Sequence, residues 1–358
     1  MKKKLVFTIG SLSGGGAERV ISILANHLCQ DYDVTILALL KDEVAYDLDS
    51  RVRYQVIDLP EQLKGIMRNL QRLRQIRRTI KAINPHVVIS FLTTINIMVL
   101  AALAFTSYPI IVSERNDPNA ETPTKLGRLI RDVSYYSRKR IFFVFQTQYA
   151  KDCFKGMTEK NSAIIFNPLK KEILPAYQGT REKRIVCVAR LEPAKNLPLL
   201  IRAFHRFKKS HPDYQLEFFG KGPLEAELKA LIRTLDMEDN VVFHGFTRDV
   251  HSKIHRAKMF ILPSDYEGIS NAMLEALAMG IPTICTDCPA YGGRLFIEDG
   301  KSGFLIPVGH EEALLEKMLT LAENDDLGNA FSQNSQVIKE RLSEDLIVEQ
   351  WRQLIGEL

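Results

Sequence analysis

The chain has 358 residues, more than a single compact core usually needs, so two domains of ordinary size are expected. Hydrophobic residues make up 46% and charged residues 25%, which indicates folded globular domains and excludes a disordered chain. The formal net charge of +5 is too small for a histone-like binder and has the wrong sign for an acidic solubilising chain. The positions of the charges therefore matter more than their sum.

Three features bear on the compartment of the protein. The five cysteines are scattered, odd in number and preceded by no secretory signal, which favours free thiols in a reducing compartment. The basic start and short apolar run of MKKKLVFTIG predict a buried first strand, because a glycine-rich loop follows at once. Residues 87–113 carry no charge, but polar residues interrupt them, so the pattern predicts strand, loop, short helix and strand rather than a membrane span.

Apolar strands alternate with helical stretches along the whole chain. The strand-like runs are LVFTIG, DVTILAL, VVISFL, IIVS and FFVFQT, then RIVCVARL, QLEFFG, VVFHGF, MFILPS, PTICTD and GFLIPV. This alternation predicts two parallel sheets, each covered on both faces. The polar stretch at 167–184 predicts a linker between a domain of residues 1–168 and one of residues 169–340. A C-terminal helix at 341–358 is expected to pack back toward the first domain.

A glycine-rich loop, GSLSGGGAER, joins the first predicted strand to the first helix. Gly15 and Gly16 allow the backbone to approach a ligand closely at a helix N-terminus, where an anion is favoured. Arg19 stands where the dinucleotide fingerprint needs its third glycine, and the loop lacks the Gly-Lys-Ser/Thr of a P-loop. The pattern fits either a ligand-binding loop or a tight turn.

Two cations follow the first strand of the second half, in VARLEPAKN. Arg190 and Lys195 lie at the carboxyl end of a predicted parallel strand, where a diphosphate suits the crevice of a sheet. The alternative is a pair of solvated surface charges. Gly220, in FFGKGP, follows another strand and fits either close approach of a ligand or a simple chain reversal.

The segment LPSDYEGISNAMLEALAMGIPTICTD is the most specific in the chain. Glu267 lies in the loop after a predicted strand. A helix follows whose first backbone N–H groups suit a phosphate or a sugar hydroxyl, and its opening residues are Gly268, Ile269, Ser270 and Asn271. Glu275 lies two turns further among apolar residues, so it needs a partner if it is buried. The two carboxylates suit separate hydroxyl pairs of one sugar nucleotide; the alternative is a capped helix with one carboxylate at the edge of the core.

Together these motifs resemble glycosyltransferase family 4, especially the bacterial enzymes that extend lipid-linked oligosaccharides, such as the N-acetylgalactosaminyltransferases of protein N-glycosylation. The resemblance covers essentially the whole chain and rests on GGAER, ISFL, SERN, ARLxxxKN, GxGP and EGISNAMLEALAMGIP. It implies an α/β fold of the GT-B type, in which two Rossmann-like domains have parallel sheets that face each other across a cleft. The first domain would bind the acceptor and the second the nucleotide sugar.

The resemblance also implies roles for individual residues. Arg190 and Lys195 would bind the donor diphosphate, Glu267 the transferred sugar and Glu275 the ribose. Phe246 lies in the segment that usually frames the nucleobase. The remaining residues expected to contact the donor are glycines and helix-opening residues, namely Gly15, Gly16, Gly220, Gly268, Ile269, Ser270 and Asn271.

The stretch QLKGIMRNLQRLRQIRRTIKAIN predicts a basic amphipathic helix near residues 61–83, and no acid follows Glu61 until Glu114. Such a helix suits an anionic lipid surface or a lipid diphosphate, and in the relatives a similar helix engages the pyrophosphate of the acceptor. The alternative is a solvated helix face. The residues expected to hold the acceptor are Lys64, Arg68, Arg72, Arg78 and Arg115, the last in place of a histidine that in many relatives orients the sugar. Nucleic acid is not expected as a partner, because no aromatic residues are interleaved with the cations.

The expected function is transfer of a hexose or N-acetylhexosamine, with retention, from UDP-GalNAc, UDP-GlcNAc or UDP-galactose to a polyprenyl-diphosphate-linked saccharide. The protein is expected to be cytoplasmic and peripheral on the inner face of the plasma membrane, in bacterial glycan or glycoprotein assembly. No cofactor is expected, because the resemblance implies metal-independent catalysis and the acidic triplet at Asp47 and Asp49 is explained by chance among 43 acids. The alternatives are a nucleotide-sugar epimerase and a glycosyltransferase with a soluble acceptor.

Overall fold

A computed structural model of the chain describes residues 2–62, 64–136, 140–154, 156 and 161–358. Leu63, which the periodicity assigns to the apolar stripe of the basic helix, lies outside the described residues. The chain divides into two compact units, one of Met1–Pro168 with Glu344–Leu358 and the other of Leu169–Ser343. None of the described helices is both long enough and apolar enough to cross a membrane.

The first unit is built on a parallel sheet. Its strands are β1 (Lys4–Ile9), β2 (Asp33–Ala38), β3 (Arg53–Val56), β4 (Val87–Phe91), β5 (Ile110–Ser113), β6 (Ile141–Phe145) and β7 (Ser162–Ile164). They lie in the order β3-β2-β1-β4-β5-β6-β7. The strand order reverses between β1 and β4, and in open parallel sheets such a switch point forms a crevice at the carboxyl ends of the strands.

The helices of this unit connect successive strands. They are α1 (Gly16–Leu28), α2 (Gly65–Ile83), α3 (Thr93–Ala102), α4 (Pro118–Glu121), α5 (Lys125–Tyr136) and α6 (Gln148–Asp152). Helix α3 packs against both α2 and α5. The uncharged stretch at 87–113 forms β4, α3 and β5, so the prediction of strand, loop, helix and strand is confirmed.

The second unit repeats this plan with a parallel sheet in the order β10-β9-β8-β11-β12-β13. The strands are β8 (Glu182–Val188), β9 (Gln215–Phe219), β10 (Val241–Gly245), β11 (Ala257–Leu262), β12 (Thr283–Thr286) and β13 (Phe304–Ile306). The helices are α7 (Leu197–Phe207), α8 (Glu225–Thr234), α9 (Val250–Ile254), α10 (Asn271–Ala278), α11 (Glu311–Glu323), α12 (Asp325–Asn334) and α13 (Ile338–Arg341). The strand order here reverses between β8 and β11, and the prediction of two parallel sheets is confirmed.

The C-terminal helix α14 (Glu344–Gly356) packs against α1 in the first unit. Its buried Trp351 stacks on Phe91 at the end of β4, with 5.8 Å between the ring centroids. Glu344, at the start of α14, pairs with His27 at 3.0 Å. The chain therefore returns to its first sheet after completing the second.

Five of the described elements of the first unit have no predicted counterpart: the edge strands β3 and β7, the helix α5 and the short helices α4 and α6. Strands β3 and β7 lie at the two edges of the sheet, and their partly exposed residues lack the continuous apolar run of a central strand. Helix α5 buries only Arg131 and Tyr135. Most of its apolar residues face solvent, so they do not indicate which side of the helix packs on the core.

Candidate active site

The reversal of strand order between β8 and β11 brings together two loops of the second unit. The loop after β8 contains a short 3-10 helix, Pro193–Lys195. From the loop after β11, the Asp265 amide donates to the carbonyl of Ala194 at 2.9 Å. The Asn196 side-chain amide donates back to Asp265 Oδ1 at 2.7 Å. These bonds fix the two loops relative to each other.

Lys195 and Glu267, two of the three predicted catalytic residues, form an ion pair across these loops. Both side chains are partly buried, which screens their attraction less than full exposure would. Arg190, the third residue, contacts Glu192 at 3.0 Å instead, and its side chain is 67% exposed. The structure therefore joins Lys195 to Glu267 and leaves Arg190 exposed on the same loop, paired with Glu192.

Glycines allow the loop after β9 to pack against the backbone that carries Arg190. A Cβ at Gly220 would lie 1.9 Å from the carbonyl oxygen of Ala189, and a Cβ at Gly222 would lie 2.4 Å from that of Leu191. Gly220 also has a φ of 138°, which disfavours any side chain. Close packing of two loops thus explains Gly220 without a ligand, and its contact with a donor stays a prediction.

The loop after β12 supports the residues that precede α10. The backbone amide of Glu267 donates to the carbonyl of Pro289 at 3.0 Å. Gly292 lies so close to Gly268 that a Cβ on Gly292 would be 2.0 Å from the Gly268 carbonyl oxygen. The backbone at Glu267 and Gly268 is therefore held by the neighbouring loop as well as by the Lys195 ion pair.

Helix α10 begins at Asn271, and Ser270 is its N-cap. The Ser270 hydroxyl accepts a hydrogen bond from the Met273 amide and so satisfies one N–H group of the first turn. Ile269 is buried, which leaves only its backbone to contact a ligand. The groups that line a small recess at this end of the helix include Glu267, Gly268, Ser270, Ser264, Cys285 and Cys288. The start of a helix favours anions, and binding of a phosphate or sugar hydroxyl at this end of α10 stays a prediction.

Glu275 is buried in α10, and its partner is His251 on α9. Both side chains are almost wholly buried, and His251 Nε2 lies 2.8 Å from Glu275 Oε2. The expectation that a buried Glu275 needs a partner is therefore confirmed. Sequence reasoning did not identify His251 as this partner, because its spacing to Glu275 follows no helical or strand period and the two residues lie on different elements.

Sequence reasoning also gave no role to the thiols near Glu267. Burial raises the pKa of the Cys187 and Cys288 thiols to about 12 and holds that of Cys285 well above its usual range. All three are neutral at pH 7, and they supply packing rather than a nucleophile. The Ser264 hydroxyl is buried among them and has no hydrogen-bond partner within the described part of the chain.

Phe246 follows β10 at the carboxyl edge of the second sheet, and its side chain is half exposed. Gly245 before it has a φ of 65°, in the left-handed region that favours glycine. An exposed ring at this edge can stack on a planar group. The role of Phe246 beside a nucleobase stays a prediction.

In the first unit, the glycine-rich loop leads into α1 as expected. Gly14 has a φ of 109°, so the turn itself requires this glycine. Gly15 is the N-cap, and its carbonyl accepts a hydrogen bond from the Tyr46 hydroxyl at 2.8 Å. Gly16 is the exposed first residue of the helix. Gly15 and Gly16 thus lie at a helix N-terminus, and their contact with a donor stays a prediction.

The acidic triplet has a structural explanation. Asp49 accepts two hydrogen bonds from the Arg51 guanidinium, at 2.8 and 2.7 Å, and these bonds hold the pKa of Asp49 below its usual range. In the residues that the structure describes, no group of three or more His, Cys, Asp or Glu side chains is placed to hold a metal ion. Asp49 is therefore an ion-paired loop residue, and metal independence stays a prediction.

Arg115 is buried just after β5. Its guanidinium lies over the ring of Phe91 at 4.6 Å and that of Trp351 at 5.5 Å, and Nη1 donates to Asn167 Oδ1 at 3.1 Å. Burial lowers the pKa of Arg115 to about 9. Arg115 thus takes part in the packing of α14 on the first sheet, unlike the exposed cations of α2 with which it is predicted to act.

Helix α2 is the predicted basic helix. Ile76 and Ile80 bury its C-terminal half, and Arg77 donates to the carbonyls of Ala102 and Ala104 at the end of α3. The predicted acceptor-binding cations at this helix form no ion pair within the described residues; they are the exposed Lys64, Arg68 and Arg78 and the half-buried Arg72. These four cations are therefore available to an anionic ligand, whereas Arg77 is committed to the fold.

A buried carboxyl group beside Arg115 escaped sequence reasoning. Glu114 accepts hydrogen bonds from Thr93 Oγ1 at 2.7 Å, from Asn96 Nδ2 at 3.1 Å and from the Tyr135 hydroxyl. Burial raises the pKa of Glu114 in spite of these donors. Thr93 and Asn96 belong to α3 and Tyr135 to α5, so Glu114 fastens both helices to the end of β5.

Two Rossmann-like units with parallel sheets, the second with a Lys–Glu pair and a helix N-terminus at its switch point, define the GT-B class. The family model for group 1 glycosyl transferases matches residues 171–337, and the model for glycosyltransferase family 4 matches residues 14–156. The chain belongs to glycosyltransferase family 4 and is a glycosyltransferase.

Relatives and solved structures agree with this assignment. The chain is 26% identical, over 99% of both chains, to the GalNAc-alpha-(1->4)-GalNAc-alpha-(1->3)-diNAcBac-PP-undecaprenol alpha-1,4-N-acetyl-D-galactosaminyltransferase of Campylobacter jejuni. It is 28% identical to an uncharacterized glycosyltransferase of Haemophilus influenzae, over 99% of this chain and 100% of the relative. TarM of S. aureus shares the fold with a TM-score of 0.80, at 16% identity over 99% of both chains. HepE of Anabaena does so with a TM-score of 0.82, at 16% identity over 99% of this chain and 100% of HepE.

Proposed function

We propose that this enzyme transfers a hexose or N-acetylhexosamine from a UDP-sugar to a saccharide carried on a polyprenyl diphosphate, with retention of the anomeric configuration. The observation that carries the proposal is the Lys195–Glu267 ion pair beside the N-terminus of α10. A cation and a helix N-terminus suit the diphosphate of a sugar nucleotide, and a carboxylate beside them suits the hydroxyls of the sugar.

The comparisons support the proposed donor and acceptor. The Campylobacter jejuni relative is named for transfer of N-acetylgalactosamine to an undecaprenol diphosphate glycan. TarM was solved with UDP, and HepE with UDP-glucose. A UDP-sugar donor and a lipid-linked acceptor are therefore the ligands with which a test should begin.

In the proposed mechanism, negative charge develops on the diphosphate as its bond to the anomeric carbon breaks. Lys195 is held by Glu267 and by the bonded loops around it, so its charge needs little reorganisation to stabilise the leaving group. Arg190, exposed on the same loop, adds a second cation. The acceptor hydroxyl attacks from the face that the diphosphate leaves and passes its proton to the departing phosphate, so no nucleophilic side chain is required.

On the acceptor side, the proposal assigns the diphosphate to the cations of α2. Lys64, Arg68 and Arg78 are exposed and form no ion pair among the described residues, which supports binding of an anion. A polyprenyl acceptor resides in a membrane, so we place the enzyme on its anionic cytoplasmic face, where each cation close to the surface contributes about 1 kcal/mol. Arg115 is buried, and its contribution would come through the packing of the first unit.

The test is an assay of the purified protein with UDP-GalNAc, UDP-GlcNAc and UDP-galactose, each with and without a polyprenyl-diphosphate saccharide. We expect slow donor hydrolysis alone, transfer when the acceptor is present, and the same rates in EDTA. Glu267→Gln should abolish both reactions if Glu267 contacts the transferred sugar. Transfer only to soluble sugars would indicate the soluble acceptor, and an epimerised nucleotide sugar without transfer would contradict the proposal.

A further inference from the structure

Helix α5 presents an apolar stripe to solvent. Five side chains on one face are exposed, which we call the α5 stripe: Leu126 (67%), Leu129 (59%), Ile130 (49%), Val133 (59%) and Tyr136 (62%). Their spacing of three and four residues places them together, whereas Arg131 and Tyr135 on the opposite face are buried. An exposed apolar face of this kind marks an interaction site more often than a bare surface.

Other apolar side chains of the same helical layer of the first unit are also exposed. Helices α2 and α5 both pack against α3, so the three helices form one layer over the sheet. Within this layer the first turns of α2 also expose apolar side chains: Ile66 (79%), Met67 (61%) and Leu70 (44%). Phe105, in the turn after α3, is fully exposed. Each helix of the layer thus carries or adjoins apolar groups that the fold does not bury.

Cations are interspersed with these apolar groups. Among the described residues, no ion pair is formed by the exposed cations of the layer, which include Lys64, Arg68, Arg74, Arg78 and Lys125. The acid of α5, Asp132, is paired with Arg131 at 2.9 Å. The layer is therefore apolar and positively charged at once.

This combination selects the partner. The core of a protein–protein interface is depleted of lysine, because a desolvated ammonium group is costly. At the surface of an anionic bilayer, apolar side chains enter the acyl boundary while neighbouring cations remain level with the phosphate groups. Charge and apolarity are satisfied together there, so the layer fits a bilayer better than a protein.

We propose that the α5 stripe inserts into the headgroup and acyl boundary of an anionic bilayer, together with the first turns of α2. The membrane contact then has two parts, a salt-sensitive attraction from the cations and a salt-resistant anchor from the apolar side chains. The inference rests on the proposed function for its choice of a membrane that carries the acceptor. It adds to the cations of α2 an apolar anchor on a different helix, α5.

The test compares the wild-type protein with the triple variant Leu126→Gln, Leu129→Gln and Val133→Gln in co-sedimentation with lipid vesicles. The vesicles contain phosphatidylcholine with or without phosphatidylglycerol. At roughly 0.1 M salt on the anionic vesicles, the triple variant should bind about 30-fold more weakly or worse, because three inserted side chains are lost. At roughly 0.5 M salt, where charge is screened, the wild type should keep measurable binding and the triple variant none.

Two further variants separate the contributions. Val308→Gln with Val337→Gln removes apolar side chains of similar exposure from the second unit, and vesicle binding should stay at the wild-type value. Arg68→Gln with Arg74→Gln and Arg78→Gln should weaken binding at low salt and spare the salt-resistant part. The substituted side chains are exposed, so thermal unfolding of all variants should match the wild type.

Equal vesicle binding by the wild type and the α5 variant would overturn the inference. So would sedimentation equilibrium that finds a wild-type dimer and a monomeric α5 variant without lipid, because a second copy would then cover the stripe. Transfer to a detergent-solubilised acceptor separates this inference from the proposed function. If the wild type transfers sugar to this acceptor but does not bind vesicles, only the anchor is refuted. If the wild type binds vesicles but transfers sugar to no lipid-linked acceptor, only the proposed function is refuted.

Discussion

Replacing His251 with leucine removes a side chain that contacts Glu275 of α10. The His251 Nε2 and Glu275 Oε2 atoms are 2.8 Å apart, and both side chains are nearly excluded from water. A hydrogen bond to a charged group contributes about 1.5–3 kcal/mol. If Glu275 binds the ribose of the donor, most of the free energy of the His251–Glu275 hydrogen bond serves to orient the Glu275 carboxylate.

Tenfold in an equilibrium constant corresponds to about 1.4 kcal/mol, so His251→Leu should raise the KM for the UDP-sugar roughly 10- to 150-fold. The turnover number should change little, because an interaction that is equal in the ground state and the transition state affects KM alone. His251→Gln keeps an N–H donor and should recover much of the affinity. The assay is steady-state kinetics with varied donor, with UDP binding measured by calorimetry.

His255 supplies the matched control. It lies at the end of the same helix, but its Nε2 contacts the carbonyl of Pro175 at 2.6 Å and not Glu275. His255→Leu should therefore leave the donor KM within experimental error. The reasoning is refuted if His251→Leu binds the donor as tightly as the wild type. It is equally refuted if His251→Gln and His251→Leu lose the same affinity with the same drop in thermal stability, because a purely structural role would then suffice.

Other perturbations test the remaining parts of the site. Lys195→Ala and Arg190→Ala should each lower turnover about 100-fold or more, measured by product formation, since each removes a stabiliser of developing charge. Proton NMR of the product should find the anomeric configuration of the donor retained, and inversion would contradict the proposed mechanism. Gly220→Ala should lower the unfolding temperature, because its Cβ would lie 1.9 Å from a carbonyl oxygen. Burial raises the pKa of Cys187 and Cys288 from 9.0 to about 12, so the folded state keeps protons that the unfolded state loses between these values. Urea unfolding should therefore give a free energy that falls as pH rises above about 9, and falls less in a Cys187→Ala and Cys288→Ala variant.

Much of the fold could be predicted because each central strand is a continuous apolar run, and such a run indicates that the strand is buried on both faces. Runs such as VVISF in β4 are wholly buried, as expected for parallel strands covered on both faces. The edge strands β3 and β7 lack this signal, because they are partly exposed. Helix α5 was missed for a related reason: its apolar residues face solvent, and the part that faces the core includes Arg131.

The candidate site divides in the same way. Its motif residues stand in continuous segments of sequence, so Lys195 after β8, Glu267 after β11 and the start of α10 could be assigned from the spacing of glycines, cations and acids. Spacing did not reveal that Lys195 pairs with Glu267 while Arg190 contacts Glu192. Nor did it separate Arg115, buried against aromatic rings, from the exposed cations of α2.

The sequence by itself determined the central strands, the helices with a buried apolar face and the residue types at their ends, because those properties follow from local periodicity and turn chemistry. Only the tertiary structure decided that Lys195 meets Glu267 and that Glu275 meets His251, and only it left the α5 stripe uncovered. These contacts join residues from separate strand–helix units. They depend on the order in which the strands lie in the sheet and on which helices cover one another, and the periodicity of a single segment carries no information about either.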